Sequence, residues 1–179
     1  MSAKPLGLIL CGGQSRRMGQ DKWQLRIYGK TWAEYLASLL EPLCEKVYFS
    51  STKELDIPNA SFVIDRYPDE GPLAGWQSFA EDFPGRDLLS LPVDMPLLTA
   101  ATVELLGGVK SGFLAGPHEK APLAAFLRAA DLEALSVQFS EGLRSAFSFW
   151  EGVEHQEFQL GSDRELKNIN MARDLPNKR

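Results

Sequence analysis

Two adjacent glycines, Gly12 and Gly13, close an apolar run that begins at Leu6, and Arg16, Arg17 and Lys22 follow within ten residues. Glycine lets a backbone turn sharply and bring its N–H groups against a ligand. Amides at close range, backed by fixed cations, make a cradle for a small polyanion such as a triphosphate. A Walker A loop needs four residues between its glycines and then Gly-Lys-Ser/Thr. Here five residues separate Gly13 from Gly19, and Gln20 follows. The Gly-x-Gly-x-x-Gly dinucleotide fingerprint is also missing, so the loop reads as a nucleotide site of another kind and a switch GTPase is excluded.

Asp94 is the second chemical signal. It stands in Pro92-Val93-Asp94-Met95-Pro96, where two proline rings restrict the backbone and hold one carboxylate in place. Magnesium is commonly held by one or two carboxylates plus substrate phosphates, which makes Asp94 the expected metal ligand. The competing reading is a turn aspartate bonded to its own backbone. Asp65 opens the polar stretch Arg66-Tyr67-Pro68-Asp69-Glu70. It could touch a nucleotide, complete the metal site, or end a strand with Arg66 as its partner. His118 and His155 have no zinc-like spacing, and there is no Gly-x-Ser-x-Gly elbow. His118 reads as a surface turn residue. Covalent catalysis is not indicated, which leaves phosphoryl or nucleotidyl transfer, driven by positioning and electrostatics.

Residues 6–10 form a buried first strand without polar alternation. Thr31-Trp32-Ala33-Glu34 is a capping box, and Trp32, Tyr35, Leu36, Leu39 and Leu40 give one apolar helical stripe that Pro42 stops. Strands are expected over 47–51 and 62–64. The turn Gly71-Pro72-Leu73-Ala74-Gly75 leads into a helix with Leu73, Trp76 and Ala80 inward. A buried strand over 87–91 follows, then a helix capped by Thr99 and ending at Gly107-Gly108. This alternation predicts a parallel sheet with helices on both faces. Ligands of such sheets bind at the carboxyl ends of the strands, where the glycine loop, Asp65 and Asp94 all fall. Further on, strands at 113–115 and 123–127 joined by the polar turn 117–120, helices at 129–137 and 140–149, and a late strand at 154–158 are expected.

The chain has 179 residues, 44% hydrophobic and 24% charged, in proportions that fit one soluble globular domain. A net charge of −5 opposes general nucleic-acid affinity, so the basic cluster favours a small anionic ligand. Cys11 and Cys44 are too few for a disulfide framework, and a reduced, cytoplasmic chain is expected. Leu8-Ile9-Leu10-Cys11 superficially suggests lipoprotein processing, but the preceding apolar run is short and Leu10 is bulky. No run reaches the length of a membrane span.

These residues together resemble the molybdenum cofactor guanylyltransferases, within the Rossmann-like nucleotidyltransferases. Residues 10–22 resemble the signature Leu-Ala-Gly-Gly-x-Ser-x-Arg-Met-Gly-x-Asp-Lys, with Cys11 in place of the usual alanine. Gly29-Lys30-Thr31, Asp65, the Gly71–Gly75 turn and Asp94 follow in order, and Asn168-Ile169-Asn170 is similar to a late Asn-x-Asn. Gly12-Gly13 with Asp21-Lys22 favours the guanylyl branch, since related cytidylyltransferases read Ala-Ala-Gly. Lys120-Ala121-Pro122-Leu123 departs from the family's His-Pro-Thr in the acceptor region.

The resemblance implies a three-layer Rossmann-like α/β fold of the nucleotide-diphospho-sugar transferase type, with a mostly parallel sheet, as a single nucleotidyltransferase domain over 1–179. It implies transfer of GMP from GTP to molybdenum-molybdopterin with Mg2+, forming a guanine dinucleotide and releasing pyrophosphate. Lys22, Arg16 and Asp94 would be catalytic, and Asp94 would hold the metal. Leu10, Cys11, Gly12, Gly13, Lys22, Ser50, Asp65, Gly71 and Asp94 would bind the nucleotide, and Asn168 and Asn170 the acceptor, with capping of a final helix as their alternative. Partners implied are GTP, molybdopterin, and other cofactor-biosynthesis or molybdoenzyme-chaperone proteins, with no nucleic acid and no membrane. The rivals are a cytidylyltransferase or sugar-phosphate nucleotidyltransferase using the same loop, and a non-catalytic nucleotide-binding assembly factor.

Overall fold

The computed structural model describes residues 3–12 and 21–170. Its frame is a seven-stranded sheet of β1 (Leu6–Leu10), β4 (Val47–Ser51), β5 (Phe62–Ile64), β6 (Leu88–Pro92), β7 (Gly112–Ala115), β8 (Lys120–Leu127) and β9 (Gln156–Gln159). The spatial order is β5-β4-β1-β6-β8-β7-β9. Only β8 runs antiparallel to its neighbours, β6 and β7; the other pairings are parallel. A small hairpin, β2 (Arg26–Ile27) with β3 (Lys30–Thr31), stands apart from this sheet.

Alternation along β1 divides the core into two layers. Leu6, Leu8 and Leu10 join one buried cluster, with Trp76 and Phe79 of helix α2 (Ala74–Asp82). That cluster also takes Leu132, Leu135 and Phe139 of α4 (Ala129–Ser140), and Phe149 and Trp150 of α5 (Ala146–Glu151). Ile9 joins the opposite cluster, with Trp32, Leu36 and Leu40 of α1 (Trp32–Leu40) and Val103 of α3 (Ala100–Glu104). Helices on both faces of a mostly parallel sheet make the three-layer α/β arrangement that the strand–helix alternation implies. No helix among the described residues is long and apolar enough to cross a membrane.

The capping box forms as read: the Thr31 hydroxyl accepts from the Glu34 amide, and the Glu34 carboxylate accepts from the Thr31 amide at 2.8 Å. The Thr31 amide and then the Thr31 hydroxyl, both donating to it, hold the Glu34 carboxyl below the usual carboxylate range. Strand β6 starts at Leu88, one residue later than expected, and Asp87 accepts a 2.8 Å bond from the Ala129 amide at the start of α4.

Several boundaries differ, each for a local reason. Helix α3 stops at Glu104, because amides 105–107 bond carbonyls three residues back and tighten the last turn. Strand β8 begins at Lys120 rather than Leu123, since the register slips beside Phe113 and Leu114. That bulge accommodates Pro122, which has no N–H to donate to a ladder, and its carbonyl accepts from the Trp150 indole at 2.8 Å. The helix expected over 140–149 forms only in its second part, as α5 from Ala146. In the first part Gly142 takes φ +101°, its amide reaching Phe139 O and the Leu143 amide reaching Gln138 O. This paired glycine cap ends α4, and Ser145 caps α5 afresh by accepting from the Ser148 amide. Strand β9 starts at Gln156, two residues later than expected.

Candidate active site

At the carboxyl ends of β1, β4 and β6 the sheet opens into a cleft of about 1010 Å³. This is the place where the connection leaving β1 goes toward β4 on one side, while the connection leaving its neighbour β6 goes toward β7 on the other. β1 stays paired to its end: the Cys11 amide donates to Ser50 O at 2.9 Å, and Leu10 O accepts from the Val93 amide at 3.1 Å. Leu10, Cys11 and Gly12 line the cleft just where the pairing stops, and Ser50 lines it from β4. Helix α2 packs its first turn directly on these strand ends. A Cβ at Gly75 would fall 2.7 Å from Ser50 Oγ and 2.8 Å from Leu10 Cδ2, so the close approach requires glycine.

Lys22 enters from a one-turn helix, Lys22–Gln24, anchored by buried Trp23. Its ammonium donates to Asn170 Oδ1 at 2.8 Å and faces Asp94 Oδ2 at 3.4 Å. Both side chains of the Lys22–Asp94 pair are about a quarter exposed, at 24% and 25%, so each keeps a face toward the cleft. An ammonium has three donors. Among the described residues Lys22 uses two, leaving one for a ligand oxygen.

Asp94 is held by its backbone on both sides. The Met95 amide bonds Pro92 O at 3.3 Å, and Asp94 O accepts from the Ile169 amide at 2.7 Å. Its carboxylate meets Lys22 rather than its own turn. Asp65 behaves differently. It lines the same cleft, but its Oδ1 accepts from the Tyr67 amide at 2.8 Å, an Asx turn that closes β5. Arg66 does not pair with Asp65. It donates to Asp82 at 2.5 Å and to Ser78 O at 3.2 Å, with Glu81 at 3.5 Å.

Gly71 also lines the cleft, on a segment tied by Arg144 to the neighbouring Glu70 at 2.5 Å. Asn168 and Asn170 lie outside the cleft lining; Asn170 reaches Lys22, while Asn168 is exposed and makes no side-chain hydrogen bond among the described residues. Gly13 and Arg16 lie outside the described residues. The cleft also takes in Thr52, Lys53, Pro68 and Pro72, none of them named from the sequence as a binding residue. Thr52 and Lys53 directly follow β4, and the carboxyl-end rule applied to that strand would have found them.

Among the described residues no three His, Cys, Asp or Glu side chains gather to hold a metal. A divalent cation here would rest on the Asp94 carboxylate and otherwise on ligand phosphates and water. That donor set suits Mg2+ and not a metal needing an all-protein cage. Burial pushes the Cys11 thiol up, and the Cys44 thiol up to about 12, so neither supplies a thiolate nucleophile. His118 is an exposed turn residue, its Nδ1 3.0 Å from Asp163 Oδ2. Lys120 is tied to Glu157 at 2.5 Å.

A three-layer open sheet with its cleft at the carboxyl edge places the chain among Rossmann-type α/β proteins. Comparisons narrow the class. Residues 7–148 match the MobA-like NTP transferase domain. The molybdenum cofactor guanylyltransferase of Xanthomonas euvesicatoria pv. vesicatoria is 36% identical over 134 residues, covering 73% of this chain and 69% of that protein. The molybdenum cofactor biosynthesis bifunctional protein of a Synechocystis species is 31% identical over 127 residues; the match covers 68% of this chain but 37% of that protein. The crystal structure of molybdopterin-guanine dinucleotide biosynthesis protein A from Archaeoglobus fulgidus shares the fold, with a TM-score of 0.72 at 21% identity over 95% of this chain and 94% of that one. The chain belongs to the MobA-like NTP transferase family and carries a nucleotidyltransferase domain.

Proposed function

We propose that this protein transfers GMP from GTP to the terminal phosphate of molybdenum-bearing molybdopterin, in the cytoplasm, with Mg2+ as cofactor. The Lys22–Asp94 pair in the carboxyl-edge cleft carries this reading. An acceptor phosphate oxygen bonds to the α-phosphorus of GTP, the bond from that phosphorus to the bridging oxygen breaks, and pyrophosphate leaves. The attacking phosphate is already ionised, so no strong base is needed, consistent with the surface position of His118.

Leu10, Cys11, Gly12, Ser50, Asp65 and Gly71 bind and orient the nucleotide. Lys22 donates its remaining N–H to a phosphate oxygen and stabilises the charge that builds up in the transition state. Arg16 and Gly13 act from the same loop. Magnesium on Asp94 supplies further neutralisation of phosphate charge when bound. Asn170 orients the Lys22 ammonium and, with Asn168, faces the acceptor. The guanylyltransferase names of the relatives support GTP as donor.

The test is pyrophosphate release by purified protein given molybdopterin, Mg2+ and either GTP or CTP. Release with GTP well above that with CTP is expected. Equal use of CTP, a CTP preference, or nucleotide binding without turnover would overturn the assignment.

A further inference from the structure

The segment 160–170 crosses the carboxyl edge of the sheet as a strap, after residues 7–148, which match the family's domain. The Leu160 amide donates to Ala115 O at 2.7 Å, where β7 ends. Leu166 and Ile169 are buried at 5% exposure each, in the cluster that contains α1 and α3. Between these anchors the strap runs antiparallel to the loop 94–99. Ile169 bonds Asp94 at one end of that loop. Glu165 closes the other end, with one carboxylate oxygen accepting from the Thr99 amide at 3.0 Å, the Thr99 hydroxyl at 3.1 Å and the Thr102 hydroxyl at 2.5 Å. The next residue after Ile169, Asn170, reaches Lys22.

We propose that Glu165 is a positioning residue, which through this clamp sets the spacing of Asp94 and Lys22. The inference rests on the nucleotidyl-transfer reading for its kinetic effect, but not for its structural one. A loop pinned at only one end can pivot about that end. With Glu165 bound to Thr99 and Thr102, the loop 94–99 is pinned at both, and so is the carboxylate that faces Lys22. Three hydrogen bonds to one charged oxygen are individually stronger than neutral ones, and they converge from the first turn of α3, which is itself packed into the core through Val103. Among the described residues the Glu165 carboxylate hydrogen-bonds to Thr99 and Thr102 and not to the ends of β1 or β4. Loss of the clamp therefore misplaces the groups that act on the reacting phosphates and leaves the rest of the nucleotide contacts in place.

The experiment compares Glu165→Ala and Glu165→Gln with the wild type by hydrogen exchange, thermal melting and pyrophosphate-release kinetics. In Glu165→Ala the Ile169 and Thr99 amides lose protection while β1 and β6 amides keep theirs, and kcat falls between about tenfold and 10²-fold, the scale of a small misplacement. KM for GTP stays within about twofold, because a loss confined to the transition state moves kcat and not ground-state binding. Glu165→Gln, which keeps an acceptor oxygen, restores most of the protection and rate. Retained Ile169 protection in Glu165→Ala overturns the proposal. So does lost protection with unchanged kcat, or a parallel fall in kcat, nucleotide affinity and melting temperature that Gln does not relieve. If the wild type fails to turn over GTP, the functional reading falls alone, and the exchange measurement still decides whether Glu165 sets the Asp94 loop.

Discussion

The two sides of the cleft are built in opposite ways. On the side of β1, β4 and β5, the cleft residues follow directly from the ends of adjacent parallel strands, and α2 is pressed onto them at Gly75. On the side of β6, Asp94 is held by a strap from 160–170 that is distant in sequence and joined by a handful of polar bonds. The first side is fixed by close packing, whereas the second adds hydrogen bonds, several of them to charged groups, to the burial of Leu166 and Ile169. Packing tolerates little change in volume, whereas polar ties respond to charge and pH. The same cleft should therefore fail in different ways when each side is perturbed.

The sharpest break comes at the junction of the two sides. Lys22→Ala removes the cation that Asp94 and Asn170 both hold, and should lower pyrophosphate release by about 10²- to 10³-fold, the range for deleting one transition-state donor. Its melting temperature should change little, because the Lys22–Asp94 pair is partly exposed and such pairs contribute roughly 0–1 kcal/mol. Near-normal turnover in the purified variant would remove Lys22 from the chemistry.

On the packed side, Gly75→Ala should destabilise the fold by about 1–3 kcal/mol, the usual cost of overpacking, and raise KM for the nucleotide. The added methyl meets Ser50 Oγ and Leu10 Cδ2. Adding Ser50→Ala should recover part of the melting temperature, since neighbouring changes couple. Strictly additive denaturation energies in the double variant would show that the contact at Ser50 is not what requires glycine.

The contrast also explains what the sequence could reveal. That Gly12, Lys22 and the proline-flanked Asp94 meet at one cleft was legible because each stands in a short, distinctive segment, and the carboxyl-end rule added Asp65 but was not carried to Thr52 and Lys53. The capping box at Thr31 and Glu34 was legible for the same reason: both its partners lie within four residues. The strap was not. The Lys22–Asn170 bond joins residues 148 positions apart, and Asn-x-Asn alone gives no direction to either side chain. Glu165 looked like any surface acid until its three donors were in view. The hairpin with Tyr28 at φ +51° and Gly29 at φ +79° was missed because each of its strands has only two residues. Pro122 hid the start of β8, since proline ordinarily argues against a strand and only the bulge makes room for it.

The smallest expected effect tests the polar side away from the catalytic pair. Asp163 accepts from the backbone amides of His118 and Glu119, both at 3.0 Å, and from the His118 ring. The backbone bond from His118 leads the influences that hold its carboxyl below the usual range. A carboxyl whose folded value is depressed contributes stability above its unfolded value of about 3.9 and loses it as pH falls through the folded value. In the wild type, then, the His118 and Glu119 amide resonances should shift together with a midpoint below about 3.9, reporting release of the 116–120 turn. Asp163→Asn should abolish that transition and leave nucleotide affinity unchanged, because the turn lies outside the cleft lining. If Asp163→Asn instead weakened nucleotide binding as much as Gly75→Ala does, the division between a packed nucleotide side and a polar strap side would be lost, and the two walls would have to be treated as one cooperative unit.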